Sequence, residues 1–412
     1  MSRPTVLVVG CASSTPHGRD QMRRLSAQAR RRGIELVGAD TPRNLATMAT
    51  GLVDELVAFD VHQPAQAREW ATGRTGIDAV LTFREMCVES VAALADELGV
   101  AGNDQSAVRT IRAKDLCRRK LRESGFAQPD CRVVRSRDEA EALMADTGPG
   151  PWIVKPRSGM GSTGVSLVES RAMLAEAIDR ISGEAPFLIE TYVPGREFSA
   201  EGVMLGGEPR VLALTAKTTG AGFVETGHRM PADLDESTAV RAQEQVERAL
   251  RAVGLSRGIF HVEFWADGDS IVLGEVHARP GGDFIHAMVE HVRPGLELYG
   301  LLIDDLLGNP APALPEPSRA AGVEYLVLDP GEVRSVEGWE QVSRAPEVLA
   351  AELSVRPGDH ITSVRGSADR HGVLVFGANT SSEVDKLAIR AKKALRIDIT
   401  RPSEHGLPIE PR

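Results

Sequence analysis

The chain has 412 residues, enough for two or three domains, and its 42% hydrophobic content supplies cores and argues against disorder. A net charge of −10 excludes a nucleic-acid binder held by phosphate attraction. Four dispersed cysteines (Cys11, Cys87, Cys117, Cys131) without C-x-x-C spacing, and no apolar run long enough for a signal peptide or a membrane span, predict a cytoplasmic protein with reduced thiols.

Thr5–Val9 reads as a buried parallel strand ending at Gly10. Gln21–Arg32 reads as a basic helix, with Arg23, Arg24 and Arg30–Arg32 expected on a solvated face. Ile34–Gly38 and Asp78–Thr82 are further strands and Glu89–Leu98 a helix. This alternation predicts an open parallel α/β sheet. The stretch GCASSTPHG lacks G-x-G-x-x-G, which excludes a dinucleotide fingerprint.

Arg112–Glu123 is expected as one helix carrying Lys114, followed by a strand from Cys131 and the helix Arg137–Ala145. In PWIVKPRSGMGSTGVSLV, the strand Trp152–Lys155 leads through the glycine- and hydroxyl-rich turn Ser158–Gly164 to the strand Val165–Val168. A P-loop needs a helix at that point. Here the glycines serve a hairpin whose backbone N–H groups approach phosphate oxygens and which can close as a lid. Phe187–Tyr192 and Leu212–Lys217 are strands, Thr218–Met230 is expected to be irregular, and Thr238–Val253 is an amphipathic helix.

Two β-rich runs, Ile259–Trp265 and Ser270–His277, flank Asp267-Gly268, a hairpin signal. Each carries one carboxylate, Glu263 and Glu275. A two-residue loop at Asp267-Gly268 pairs Glu263 with Val272 and separates the acids. An odd loop, Asp267-Gly268-Asp269, pairs Glu275 with His261 and leaves the acids on one face, about 7–8 Å apart. The odd loop is the expectation. Two carboxylates without a thiol pair suit Mg²⁺ shared with substrate phosphates. Arg279 adds a fork for a carboxylate or phosphate, and Pro280-Gly281-Gly282 lets backbone approach a ligand. Leu296–Leu307 closes the middle of the chain, and Asn309–Pro317 is a proline-rich linker. Beyond it, the strands Glu324–Leu328, Val333–Val336 and Gly372–Gly377 and the helix Ser382–Leu395 form an α+β unit expected to carry no chemistry.

Taken together, Lys114, Lys155-Pro156, the Ser158–Val165 loop, Glu190…Pro194-Gly195-Arg196-Glu197 and Glu263…Glu275-x-His277-x-Arg279 resemble the ATP-grasp superfamily in order and spacing. The stretch VETGHRMPADL and the unit after the linker look most like the L-amino-acid ligase branch, which makes dipeptides. The resemblance implies an α/β and α+β fold of ATP-grasp architecture. Residues 1–108 would form the N-terminal open parallel α/β domain. Residues 109–310 would form the two-part ATP-binding domain, with a lid at about 131–195, and residues 318–412 a small C-terminal α+β domain.

Roles follow from the same resemblance. Lys114 and Lys155 would contact the α- and β-phosphates. Ser158, Gly159, Gly161, Ser162, Thr163 and Gly164 would close over the β- and γ-phosphates. Glu190 with the backbone of Tyr192 and Val193 would bind adenine, Glu197 the ribose, and Lys217 the γ-phosphate. Glu263 and Glu275 would hold Mg²⁺, with Mn²⁺ as an alternative ion. The family commonly has asparagine where this chain has His277, and imidazole is a poor Mg²⁺ ligand, so His277 is left out of the metal set. A substrate carboxylate would attack the γ-phosphate, and an amine would attack the acylphosphate. Arg279 and the Gly282 N–H would stabilise the tetrahedral intermediate. Glu225 and His228 would meet the amino-acid substrates. Asp283 would line the first-substrate pocket or else cap a helix beginning near Phe284.

The implied enzyme is an ADP-forming carboxylate–amine ligase joining two amino acids or amino-acid-like compounds. Its partners would be small-molecule carboxylates and amines, with no nucleic acid or membrane, and a homodimer is the implied assembly. The alternatives are a ligase or carboxylase-like enzyme with another acceptor, or a nucleotide-binding regulatory module that has lost catalysis.

Overall fold

The computed structural model describes residues 3–146, 148, 150–157, 161–181 and 186–400. Four short runs, β1 (Thr5–Val9), β2 (Glu35–Asp40), β3 (Glu55–Ala58) and β4 (Ala79–Thr82), form a parallel sheet in the order β3-β2-β1-β4. Its centre, β1, is the almost fully buried TVLVV. The helix Pro16–Arg31 starts where the Thr15 hydroxyl accepts from the Gly18 N–H and proline takes the first turn. Arg23, Arg30 and Arg31 lie exposed as expected, whereas Arg24 and Arg32 are drawn into pairs. Arg24 pairs with Glu290, and Arg32 with Glu297 and Asp304, so this helix is clasped to the middle of the chain.

The expected helix Arg112–Glu123 is present as Lys114–Glu123, and an extended Ala113 separates it from a preceding helix, Gln105–Arg112. The break puts Lys114 at a helix start, facing the central cavity. Next, β5 (Cys131–Val134), β6 (Trp152–Pro156), β7 (Ser166–Val168) and β8 (Phe187–Thr191) pair antiparallel in the order β5-β8-β6-β7.

The largest sheet begins with β9 (Arg196–Leu205) and β10 (Glu208–Thr219), joined by Gly206-Gly207 at φ +60 and +83. Such a turn needs two left-handed residues, which glycine supplies without strain. Next come β11 (Glu225–Met230), β12 (Ile259–Asp267) and β13 (Ser270–His277). The stretch expected to be irregular, Thr218–Met230, is thus mostly strand; only residues 220–224 turn. Beyond the prolines lie β14 (Ala320–Leu326), β15 (Gly331–Glu337), β16 (Val348–Leu353), β17 (His360–Ile361), β18 (Gly372–Ala378) and β19 (Arg396–Thr400). The order β13-β12-β9-β10-β11-β14-β18-β16 makes one eight-stranded sheet, and β17-β15-β19 a smaller one.

The helix Glu236–Val253 runs from an Asp235 cap to Gly254 at φ +79 and lays Ala242, Val246, Ala249 and Leu250 on Phe198, Phe260, Phe264 and Leu273. Truncating a ring such as Phe260 to alanine would cost about 3–5 kcal/mol. That packed layer makes the opposite face of the sheet a rigid platform. No helix among the described residues is long and apolar enough to cross a membrane.

Candidate active site

Strand alternation builds the platform. Glu197, Ser199 and Glu201 on β9 share a face with His261 and Glu263 on β12, while Phe198, Ala200, Phe260, Val262 and Phe264 turn to the helix. On β13, Asp267 pairs with Ser270, so the turn is the two-residue Gly268-Asp269 and the expected odd loop is wrong. Parity is restored by a β-bulge: the register shifts between Val262 and Phe264, so Gly274 and Glu275 together oppose Glu263. An added Cβ on Gly274 would sit 3.0 Å from the Glu263 carbonyl oxygen. Glu263, Glu275 and His277 thereby bring ligand atoms within 4.8 Å of one another. His277, set aside as a ligand above, belongs to this group.

At one end of the platform, two lysines meet two acids. Lys114 Nζ lies 2.7 Å and Lys155 Nζ 3.3 Å from Glu275 Oε1, and Lys155 also lies 3.0 Å from Glu190. Arg118, one turn beyond Lys114, grips both Glu190 oxygens at 2.5 and 3.0 Å. Burial pushes the Glu190 carboxyl up, but Arg118 and Lys155 outweigh it and hold it at about 2. Glu275 is likewise held at about 2 against burial by Lys114 and Lys155.

In the middle, the buried Lys217 ammonium contacts three carboxylates: Glu197 at 2.6 Å, Glu225 at 2.8 Å and Glu263 at 2.8 Å. Burial lowers the lysine, but the three acids together raise it well above its ordinary range. One cation for three anions leaves surplus negative charge. Glu197 shows it, raised by burial and by Glu263 and Glu225 despite Lys217. Such a donor set, two or more carboxylates close to one another, fits a hard divalent cation.

Behind this row, Glu201 accepts from His261 at 2.8 Å, Ser199 at 2.6 Å and Thr215 at 3.2 Å. His261 then reaches Glu263 at 3.5 Å. Burial lowers His261, but Glu201 and Glu263 lift it to about 9. A charged imidazole thus fixes the Glu263 carboxylate from beneath.

At the far end, Arg279 Nε donates to Glu85 Oε2 at 2.8 Å, and the same oxygen lies 2.9 Å from His277 Nδ1. Arg112 holds the other Glu85 oxygen at 3.0 Å. Burial would raise Glu85, but His277, Arg279 and Arg112 keep it well below the carboxylate range. Gly282 faces open space, with nothing within 4 Å of an added Cβ.

Asp283 does not cap the helix after it. That helix, Ile285–Val292, starts without a side-chain cap. Both Asp283 oxygens are held by the Arg370 fork at 2.6 and 2.8 Å, and His228 Nε2 lies 3.1 Å from Oδ2. Arg370 also donates to the Glu225 carbonyl at 3.0 Å and stacks on Tyr325, 3.3 Å from its centroid. The unit beyond the linker, expected to carry no chemistry, therefore supplies a residue to the site.

One cavity of about 880 Å³ is lined by Lys114, Lys155, Glu190, Tyr192, Val193, Glu197 and Lys217. Glu225, His228, Glu263, Glu275, Arg279, Gly282 and Asp283 line it too, as do Gly161, Ser162 and Thr163. Gly164 instead packs on Pro156, and Ser158 and Gly159 lie outside the described residues. Sequence reasoning missed Glu85, Arg118, Glu201 and Arg370. The alternation in EFSAE was a signal that could have found Glu201, and the helical spacing from Lys114 one that could have found Arg118.

Residues 149–287 match the ATP-grasp domain family, and residues 324–400 match L-amino acid ligase C-terminal domain 2. The chain carries an ATP-grasp domain. The alanine–anticapsin ligase of Bacillus subtilis (strain 168) is 26% identical over 213 residues, 46% of this chain and 45% of that protein. Carnosine synthase 1 of Homo sapiens is 27% identical over 336 residues, 71% of this chain and 39% of that protein. The chain thus spans less than half the length of either relative. The crystal structure of an L-amino acid ligase from Bacillus licheniformis superposes with a TM-score of 0.79 at 22% identity, covering 97% of this chain and 99% of that one. The fold shared with that structure therefore extends beyond the matched segment, and strands of both the β5–β8 sheet and the eight-stranded sheet line the one cavity.

Proposed function

We propose that this protein is an ATP-dependent, ADP-forming carboxylate–amine ligase that joins two amino acids or amino-acid-like compounds. The observation that carries the reading is convergence on one cavity. Lys114 and Lys155 stand over Glu275, the Glu263–Glu275–His277 group lies beside them, and Arg279 and the Glu225–His228–Asp283 group lie beyond. The ligase names of the relatives support the same reading.

In this mechanism Lys114, Lys155 and Lys217 bind and orient the ATP phosphates, and their charge counters that building on the transferring group. Glu263 and Glu275, with His277 alongside, would hold Mg²⁺ or Mn²⁺, which supplies charge neutralisation at the phosphates. The substrate carboxylate takes the γ-phosphoryl group, and the incoming amine then expels phosphate from the acylphosphate. Arg279, aligned by Glu85, faces the oxygen that becomes anionic in that second step. Glu225 receives the ammonium of an amino-acid substrate, and Glu190 and Glu197 with the chain at Tyr192 and Val193 hold the nucleoside.

The test is incubation with ATP, Mg²⁺ and a panel of amino acids, with ADP, phosphate and product masses measured. Amino-acid-dependent ADP and an amide product are expected. AMP with pyrophosphate, or no dependence on any amino acid, would overturn the reading.

A further inference from the structure

A short segment beyond β17 touches both halves of the cavity. Gly366 is extended (φ −167, ψ 175), and Ser367–Asp369 makes one tight turn that delivers Arg370. On one side, the Ser367 N–H donates to the Gly161 carbonyl at 3.1 Å. Gly366 also lies so close to the glycine-rich turn that an added Cβ would sit 3.1 Å from Thr163 Oγ1. On the other side, Arg370 holds Asp283 and the Glu225 carbonyl. Its Nε donates back to the Ser367 carbonyl at 2.7 Å. One residue, Ser367, is thus held through its N–H by the phosphate hairpin and through its C=O by the amino-acid pocket.

We propose that Gly366–Arg370 is a positioning element that couples the phosphate hairpin to the amino-acid pocket, with Arg370 as its anchor. The inference rests on the ligase reading, which names the two subsites. Arg370 is locked at its ring-stacked face and along its fork, so its position follows that of Asp283 and Glu225. A shift there moves Ser367 and loosens the hydrogen bond to Gly161. Filling either subsite then favours the arrangement that binds at the other, and linkage makes the effect reciprocal.

The test measures binding of the non-hydrolysable ATP analogue AMP-PNP with Mg²⁺ to the full chain. Ser367 opens its turn and follows an extended Gly366, both compatible with proline, whose ring Cδ replaces the N–H and pushes the Gly161 carbonyl away. Ser367→Pro removes the bond to Gly161 and should weaken AMP-PNP binding about threefold to tenfold. Asp283→Asn keeps the side-chain shape and removes the charge that anchors Arg370. It should weaken AMP-PNP binding by a similar factor, although Asp283 lies outside the nucleotide subsite. The double variant should bind no worse than the weaker single one, because both changes cut one link. General destabilisation would lower melting temperatures without producing that non-additivity. Wild-type affinity in either single variant, or penalties that multiply, would overturn the coupling. Failure of the wild type to bind AMP-PNP would overturn the nucleotide subsite and this inference together, whereas the ligase reading is decided separately by amide formation.

Discussion

Glu263 and Glu275 face the same side of their hairpin because Gly274 is an extra residue between them in the ladder. The pair sits between Lys217 on one flank and Lys114 and Lys155 on the other. Glu275→Gln keeps the shape but removes the charge where cations converge. Turnover, read as ADP release well below the melting temperature, should fall about 100-fold or more, and the melting temperature should drop too because Lys114 and Lys155 lose their shared carboxylate. Wild-type turnover would move the chemistry elsewhere.

The bulge itself can be stressed. At Gly274 an added Cβ has only 3.0 Å to the Glu263 carbonyl oxygen and 3.1 Å to its Cβ. Gly274→Ala should cost about 1–3 kcal/mol and separate the acids, so melting temperature and turnover fall together. A variant as stable and as active as wild type would show that the bulge has room to relax.

Glu190 predicts a pH dependence of stability. Its carboxyl, ordinarily near 4.5, is held at about 2 by Arg118 and Lys155 against the opposing effect of burial. A carboxylate lowered on folding adds stability that is present above pH 4.5 and is lost as pH falls through about 2. The difference corresponds to about 3 kcal/mol. Glu190→Gln should therefore be less stable by about that amount at pH 7, with the deficit shrinking below pH 4.5. Denaturant titrations of both proteins across this range check it, and a constant deficit would contradict it.

Arg279 and Glu85 should separate contact from alignment. Arg279→Ala removes the guanidinium and should lower kcat about 100-fold or more while ATP affinity holds. Glu85→Gln leaves Arg279 in place but weakens its hold and that of His277, so a kcat loss of about tenfold is expected. Steady-state kinetics with ATP varied would reveal the split. Equal losses in kcat for both variants would make Glu85 more than an aligner.

Much of this arrangement was readable because strands alternate. The runs HVEFW and EVH state which residues of each strand share a face, whereas Lys155 and Glu190 were legible only through the ATP-grasp resemblance, and Glu263 and Glu275 meet only through the bulge. The turn length misled, because Gly274 looks like any strand glycine and its bulge depends on three-dimensional pairing. Glu85 reaches His277 across 192 positions, and Arg370 reaches Asp283 across 87. Contacts at such separations are set by how domains dock, which local periodicity does not encode. Arg24 and Arg32 of the basic cluster were misjudged for the same reason, since their partners Glu290, Glu297 and Asp304 belong to another part of the fold.

The seam between β11 and β14 has a consequence for anyone cutting this protein into pieces. The proline-rich connector, around residues 309–317, looks like a natural place to stop, yet β14 is hydrogen-bonded to β11 along Gly227–Met230. A fragment ending there would expose four residues of unpaired backbone beside His228 and would lose Arg370 as well. Such a naked edge invites pairing with another chain. Shuffling modules between relatives would therefore succeed only if the exchanged piece brings its own matching strand to that seam.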